Sequence, residues 1–309
     1  MSREAVERFG CFGGSCEVRV GGDSAPAAAA RARQRLLDWH DRFTRFTPDS
    51  ELSRLNADAR TEIPVSETMA ALAEEVVAAA ERSGGLVDGT LASEIAAAGY
   101  RRALGPPLPL ALALRLAPPR RPAGPRPGAR ARGIVVDRER AIVRRPAGAS
   151  LDSGGLAKGL FADLIAADLA DHPSLVVNCA GDLRLGGDEP RPVRVASPFG
   201  GQIVHTFRLP RGAVATSGIG RRSWLAANGR PAHHLLDPAT GLPAFTGIVQ
   251  ATALAPTALE AEVLAKAALL GGPRAARGWL PHGGVIVLDD GSHRVFQQPR
   301  DRGRLPQDR

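Results

Sequence analysis

The second half of this chain is a succession of short apolar runs, and that pattern limits the fold more than any single motif does. From Ser174 onward, residues 175–178, 183–185, 193–196, 203–209, 213–215 and 248–255 each have the length and composition of a strand. A helical pattern over 257–270 interrupts them, a shorter helix is expected around 273–280, and 285–288 reads as a late strand. In the first half, residues 15–20 alternate like a strand, and Leu36, Leu37, Trp39 and Phe43 give 27–43 a helical period, so the chain is expected to open directly on a strand-helix unit. Ser66 is placed to cap a helix over 68–83 that Gly84 and Gly85 close. A second helix is expected over 91–100, and residues 134–137 and 141–144 flank a polar turn like a hairpin. Strands in runs with helices between the blocks predict an α+β layered fold rather than a regularly alternating doubly wound sheet.

With 309 residues, 44% of them hydrophobic, the chain can bury a sizeable core. A formal net charge of +8 raises nucleic acid or an acidic membrane as partners. The arginines are scattered, however, and form a block only over 115–132, where prolines argue against helix or central strand. That block, within 105–132, reads as an exposed loop, either a polybasic contact site or a compositionally biased connection. A single tyrosine argues against a stacking platform for single-stranded nucleic acid, so no nucleic-acid partner is expected. Cys11, Cys16 and Cys179 form neither a disulfide framework nor a zinc-ligand spacing. No apolar run has the length of a signal-peptide core or a membrane span. The expectation is a soluble, cytoplasmic protein with one domain over 5–295 and a flexible tail over 296–309.

Of the 40 basic residues only two are lysines, Lys158 and Lys266. Lys158 sits in Leu151-Asp152-Ser153-Gly154-Gly155-Leu156-Ala157-Lys158-Gly159, which reads as a loop entering a helix. Free backbone N–H groups and an ammonium facing one point would suit an anion, above all a phosphate. Four more segments are hard to explain as core: Phe46 to Asn56, polar and loop-like between two helices; Asn178-Cys179-Ala180-Gly181-Asp182 at a strand end; Thr216-Ser217-Gly218; and His233-His234-Leu235-Leu236-Asp237-Pro238 with the Thr240-Gly241 turn.

Taken in order with Phe12-Gly13-Gly14-Ser15 and Val87-Asp88-Gly89-Thr90, these segments resemble the FAD:protein FMN transferases, the ApbE-type flavin transferases, over about residues 9–290. The resemblance implies a single layered domain, T-fold-like, with mixed or antiparallel sheets and packed helices. It implies a protein that binds FAD, splits its pyrophosphate with the help of Mg²⁺, and passes FMN to a threonine of an acceptor flavoprotein with release of AMP. By the same matching, Phe12, Phe46, Leu86, Val87 and Asp88 fall where the family contacts FAD, and Leu236 lines the binding site. Asn178, Thr216 and Ser217 edge the same crevice. Lys158 and the Gly154-Gly155 backbone would hold the pyrophosphate, and Asp152 would fix the nucleotide or the loop. Core packing is the other reading for Phe12 and Phe46. His234 either accepts the threonine proton or makes a structural hydrogen bond across its turn.

The chain departs from the family pattern at the metal position, which the resemblance assigns to a loop carbonyl, here Gly155, with an aspartate and a threonine one helical turn apart. Glu262 and Lys266 stand in those two places. Three readings follow: Lys266 swings away from a weakened metal site, it replaces the metal and pairs with Glu262, or the two form an ordinary surface ion pair; the second is preferred because the chain avoids lysine elsewhere. Metal-dependent transfer is then in doubt, and an FAD-binding carrier, sensor or partner subunit of the same fold is the alternative function. A second departure, Ala180 in place of a glycine, would narrow the ligand crevice if a ligand approaches closely there.

Overall fold

In the computed structural model, which describes residues 4–102, 105–126 and 130–297, eight strands lie side by side in chain order. They are Ala5–Cys11, Gly14–Val20, Leu175–Cys179, Asp182–Gly186, Gly212–Gly218, Ile248–Ala255, Gly284–Leu288 and His293–Phe296. Every neighbouring pair is antiparallel. Side chains alternate across the pleat, so Val177, Ala213, Ala215, Ala251, Ala253 and Ile286 enter one core while Val176, Val214, Leu254 and Val285 enter another on the opposite face. A hairpin of Arg191–Ala196 and Ile203–Leu209 closes the second face with Val193, Val195, Phe207 and Leu209.

Helices cover the first face. In chain order they are α1 (Ala25–Phe43), α2 (Glu51–Ala57), α3 (Glu67–Arg82), α4 (Ala92–Ala97), α5 (Leu110–Leu116), α6 (Ala157–Asp168) and α7 (Ala258–Ala275). Ser66 caps α3 by accepting the Met69 N–H at 3.1 Å, and Gly84 and Gly85 turn the chain away with positive φ. α7 is buried along most of its length, its small side chains Ala261, Ala265 and Ala268 sharing the core with the sheet alanines. Gly272, at φ 76°, breaks it before Pro273, so the expected long helix and its short successor are both present, joined at a kink, the second ending at Ala275. A Cβ on Gly159 would lie 2.6 Å from the Leu259 Cα, which is why the start of α6 can approach the start of α7 so closely.

The layered α+β architecture agrees with the expectation, and five local readings are corrected. The chain opens on a hairpin, because Ala5–Cys11 precedes the expected first strand. The polar segment after Ser50 is helix α2, held by the Ser50 side chain accepting from Ser53 N at 3.0 Å. The helix expected over 91–100 is the shorter α4. The Pro/Arg-rich segment is irregular and mostly exposed over 117–126, as expected, but it also contains helix α5 and is stitched to the body: Arg121 N donates to Phe245 O at 3.0 Å, Ala123 N to Leu270 O at 2.9 Å and Gly124 N to Asp237 Oδ1 at 2.9 Å. The strand His293–Phe296 reaches into the expected tail, of which residues 298–309 lie outside the described residues. Among the described residues no helix is long and apolar enough to cross a membrane.

Candidate active site

Five distant stretches meet at one narrow cleft. Its lining includes Arg45 from the α1–α2 connection, Leu86, Val87, Asp88 and Gly89 after α3, Asp152, Gly154 and Gly155 before α6, His234, Leu236 and Pro238, and Lys266 from α7. The two loops are tied where Asp152 N donates to Gly89 O at 2.8 Å. Asn56 braces the second loop, its side chain donating to Leu151 O and accepting from Leu151 N, both at 2.8 Å. The cleft encloses about 60 Å³. At the roughly 10–15 Å³ that one water requires, this is room for a handful of waters or a group of about diphosphate size, so a dinucleotide would extend over the rim. That rim is aromatic: the Arg45 guanidinium lies 4.3 Å from the Tyr100 ring centroid and 4.9 Å from that of Phe46.

Three buried polar atoms of the lining residues have no hydrogen-bond partner among the described residues: Asp88 Oδ2, Asp152 Oδ1 and His234 Nδ1. A buried polar group without a partner is costly, and such groups at one cleft mark a place built for a polar ligand. Arg45 Nε approaches Asp152 Oδ1 only to 3.7 Å, beyond hydrogen-bond reach. Burial, with help from Arg222, His233 and Lys266, pushes the His234 imidazole well below its ordinary pKa, so it is neutral.

Beneath the cleft lies a buried charge network. Lys158 Nζ pairs with Asp182 Oδ2 and lies 3.4 Å from Glu262 Oε1. Lys266 Nζ donates to the same Glu262 oxygen at 2.9 Å, and Gly159 N donates to Glu262 Oε2 at 2.9 Å. Asp182 Oδ1 accepts the Thr216 N–H at 3.4 Å. Burial works against the charged form of Lys158, but Asp182 and Glu262 outweigh it and raise its pKa. Burial alone would raise the Glu262 carboxyl too, yet Lys158 and Lys266 hold it down to about 2. Lys266 is the member of this network that also lines the cleft.

The residues singled out from the sequence thus divide. Leu86, Val87, Asp88, Asp152, Gly155, His234, Leu236 and Lys266 line the cleft, while Lys158 and Glu262 form the network. Lys158 is not among the cleft's lining; its ammonium pairs with Asp182 and lies 3.4 Å from Glu262 Oε1. The surface-pair reading of Glu262 and Lys266 is also corrected: the two are 1% and 8% exposed. Asn178 turns its hairpin by accepting the Gly181 N–H at 2.8 Å, and Thr216 Oγ1 meets Thr252 Oγ1 at 2.9 Å; neither they nor Ser217 are among the cleft's lining. Phe12 packs on Phe161 and His40 outside it, whereas Phe46, 39% exposed, is a rim residue and not core. The Ala180 methyl faces Gly14 across the hairpin turn, not the cleft. Sequence reasoning missed Arg45 and Tyr100, although Tyr100 is the chain's single tyrosine.

A divalent cation does not fit the position formed by Gly155, Glu262 and Lys266. Both Glu262 oxygens already accept N–H donors, one of them from the Lys266 ammonium itself. An ammonium ~4 Å from a doubly charged ion would be repelled by about 8 kcal/mol at an effective dielectric of about 20. A larger concavity, of about 920 Å³ and lined by Asp163, Arg184, Arg211 and His282 among others, contains none of the residues singled out from the sequence.

Known proteins resemble this chain in sequence and in fold. A family model described as the ApbE family matches residues 12–288. The chain is 31% identical over 281 residues to an FAD:protein FMN transferase of Treponema pallidum (strain Nichols), covering 83% of this chain and 75% of that protein. Among solved structures, the ApbE protein of Thermotoga maritima superposes with a TM-score of 0.77 at 24% identity, over 95% of this chain and 97% of that one. The flavin transferase ApbE of Vibrio cholerae gives 0.72 at 17% identity, over 96% and 98%. At these identities the structural likeness speaks for the fold alone, and the family rests on the matched model and the Treponema relative. The chain belongs to the ApbE family, that of the flavin transferases.

Proposed function

We propose that this protein is an FAD:protein FMN transferase that splits the pyrophosphate of FAD, attaches FMN to a threonine of an acceptor flavoprotein and releases AMP. The observation that carries the reading is the convergence of the Gly154-Gly155 loop, Asp88, Asp152, His234 and Lys266 on one cleft. The free carboxylate oxygens of Asp88 and Asp152 would repel phosphate but accept from nucleotide hydroxyl or ring N–H donors. The diphosphate therefore belongs at the Lys266 end, beside the amides at the start of α6. Arg45, Phe46 and Tyr100 would meet a planar ring at the rim.

In the transfer, a bond forms between the threonine Oγ and the FMN phosphorus. The bridging P–O bond breaks, and its electron pair leaves on the AMP phosphate. His234, neutral and therefore able to accept, would take the threonine proton. Phosphoryl transfer asks mainly for alignment and charge neutralisation, and the cleft offers both. Three free cysteines, all buried, fit a cytoplasmic site of action.

A second reading has its own ground: Lys266 stands where the resemblance places a threonine, which favours an FAD binder that no longer transfers. Incubation with FAD and a threonine-bearing acceptor, read by flavin fluorescence of the denatured acceptor and by AMP release, separates the two. Covalent flavin with equimolar AMP supports the transferase; FAD retention without either supports the binder; no FAD binding sinks both. His234→Gln should keep FAD affinity and lower transfer by roughly 10²–10⁴-fold.

A further inference from the structure

We propose that Lys266 is the resident cation of the cleft, so that an organic diphosphate binds there without a divalent metal ion. The ligand's identity as FAD rests on the transferase reading. What is added is that the cation facing the diphosphate belongs to the chain itself.

Three observations converge on this residue. Lys266 is the only described member of the Lys158, Asp182, Glu262 and Lys266 network that lines the cleft. Its ammonium has three donors, and the hydrogen bond it makes is to Glu262 Oε1 at 2.9 Å, which leaves two donors for a ligand. Glu262 cannot serve a metal as it serves the two lysines: Oε1 faces both ammonium groups, at 2.9 and 3.4 Å, and Oε2 accepts the Gly159 N–H.

The network also balances. Two ammonium groups face two carboxylates, so Lys158 neutralises Asp182 and the two lysines share Glu262. An arriving diphosphate would draw Lys266 without leaving Glu262 unpaired, since Lys158 stays beside it. Residue type fits this role. A guanidinium is a broad planar fork, whereas an ammonium is a compact point charge on a flexible stem, closer to what a small ion offers a diphosphate. This is one of only two lysines among 40 basic residues.

The test is isothermal titration of the full chain with FAD, in EDTA and in millimolar MgCl₂, alongside electron paramagnetic resonance of added Mn²⁺. The expected result is the same FAD affinity in both buffers, no stoichiometric Mn²⁺ binding, and a loss of affinity of roughly ten- to hundredfold in Lys266→Met. If that variant does not fold, the wild-type metal arms still decide. An FAD affinity that requires Mg²⁺, or one Mn²⁺ bound per chain and released by EDTA with the flavin, overturns the inference and leaves the transferase reading standing. A folded Lys266→Met that binds FAD as well as wild type also overturns it, because the lysine would then be structural only. Failure to bind FAD in either buffer overturns the transferase reading, and the inference with it.

Discussion

The ammonium of Lys158 is committed to two carboxylates, Asp182 and Glu262, whereas that of Lys266 touches one carboxylate and the cleft. Removing the first should therefore cost stability and the second ligand affinity. Lys158→Met is predicted to lower unfolding free energy by about 3–5 kcal/mol, since it leaves Asp182 buried without its partner; a denaturant midpoint unchanged from wild type would contradict this. Within the network Glu262 makes the protein acid-sensitive, whereas Asp182, whose carboxyl burial pushes above its ordinary value, works in the opposite direction. Because Glu262 is held down to about 2 in the folded protein from an ordinary 4.5, its contribution is present above pH 4.5 and is lost as pH falls toward 2. Urea titrations between pH 5 and pH 3 should show falling stability in wild type and a shallower fall in Glu262→Gln. The two lysines were legible in the sequence by rarity alone, but which of them reaches the cleft was not. That depends on where the hairpin turn delivers Asp182, a long-range fact that no local pattern encodes.

The strands that sequence reading recovered are those with an apolar face, such as Leu175–Cys179 and Ile248–Ala255. The two strands of the main sheet it missed, Ala5–Cys11 and His293–Phe296, are the two edges of that sheet. Edge strands carry charge against uncontrolled pairing, and Glu7, Arg8, His293 and Arg294 dilute the period that would reveal them. Helix α2 was missed for a similar reason: it is seven residues long, with only Leu52 and Leu55 buried. A tight helix contact centres on Gly159, where an added Cβ would meet the Leu259 Cα at 2.6 Å and the Ala258 O at 2.7 Å. Gly159→Ala should push α6 from α7, disturb the Glu262 to Gly159 hydrogen bond and cost about 1–3 kcal/mol. A thermal midpoint equal to wild type would show that the helices can yield without loss.

Across the whole molecule, the Pro/Arg-rich segment acts as a strap. It bonds to Phe245, Leu270 and Asp237, and Arg126 donates to Glu94 Oε1 at 2.8 Å, which ties it to the walls of the cleft. The exposed, irregular connection that composition suggested is present over 117–126; composition did not reveal its backbone bonds, because prolines forbid a regular element but not bonds made one residue at a time. Replacing residues 118–126 by a glycine-serine linker of equal length should weaken FAD binding and leave retention on DNA at low salt unchanged. Loss of DNA retention with intact FAD binding would reverse that assignment. The central claim, that the cleft is a dinucleotide site with its charge supplied by Lys266, is tested most directly by a crystal structure of the protein with FAD. The account predicts the diphosphate between the Gly154-Gly155 loop and the Lys266 ammonium, within hydrogen-bond distance of its Nζ. A diphosphate bound elsewhere, or held at that place by a metal ion with Lys266 turned away, would contradict it.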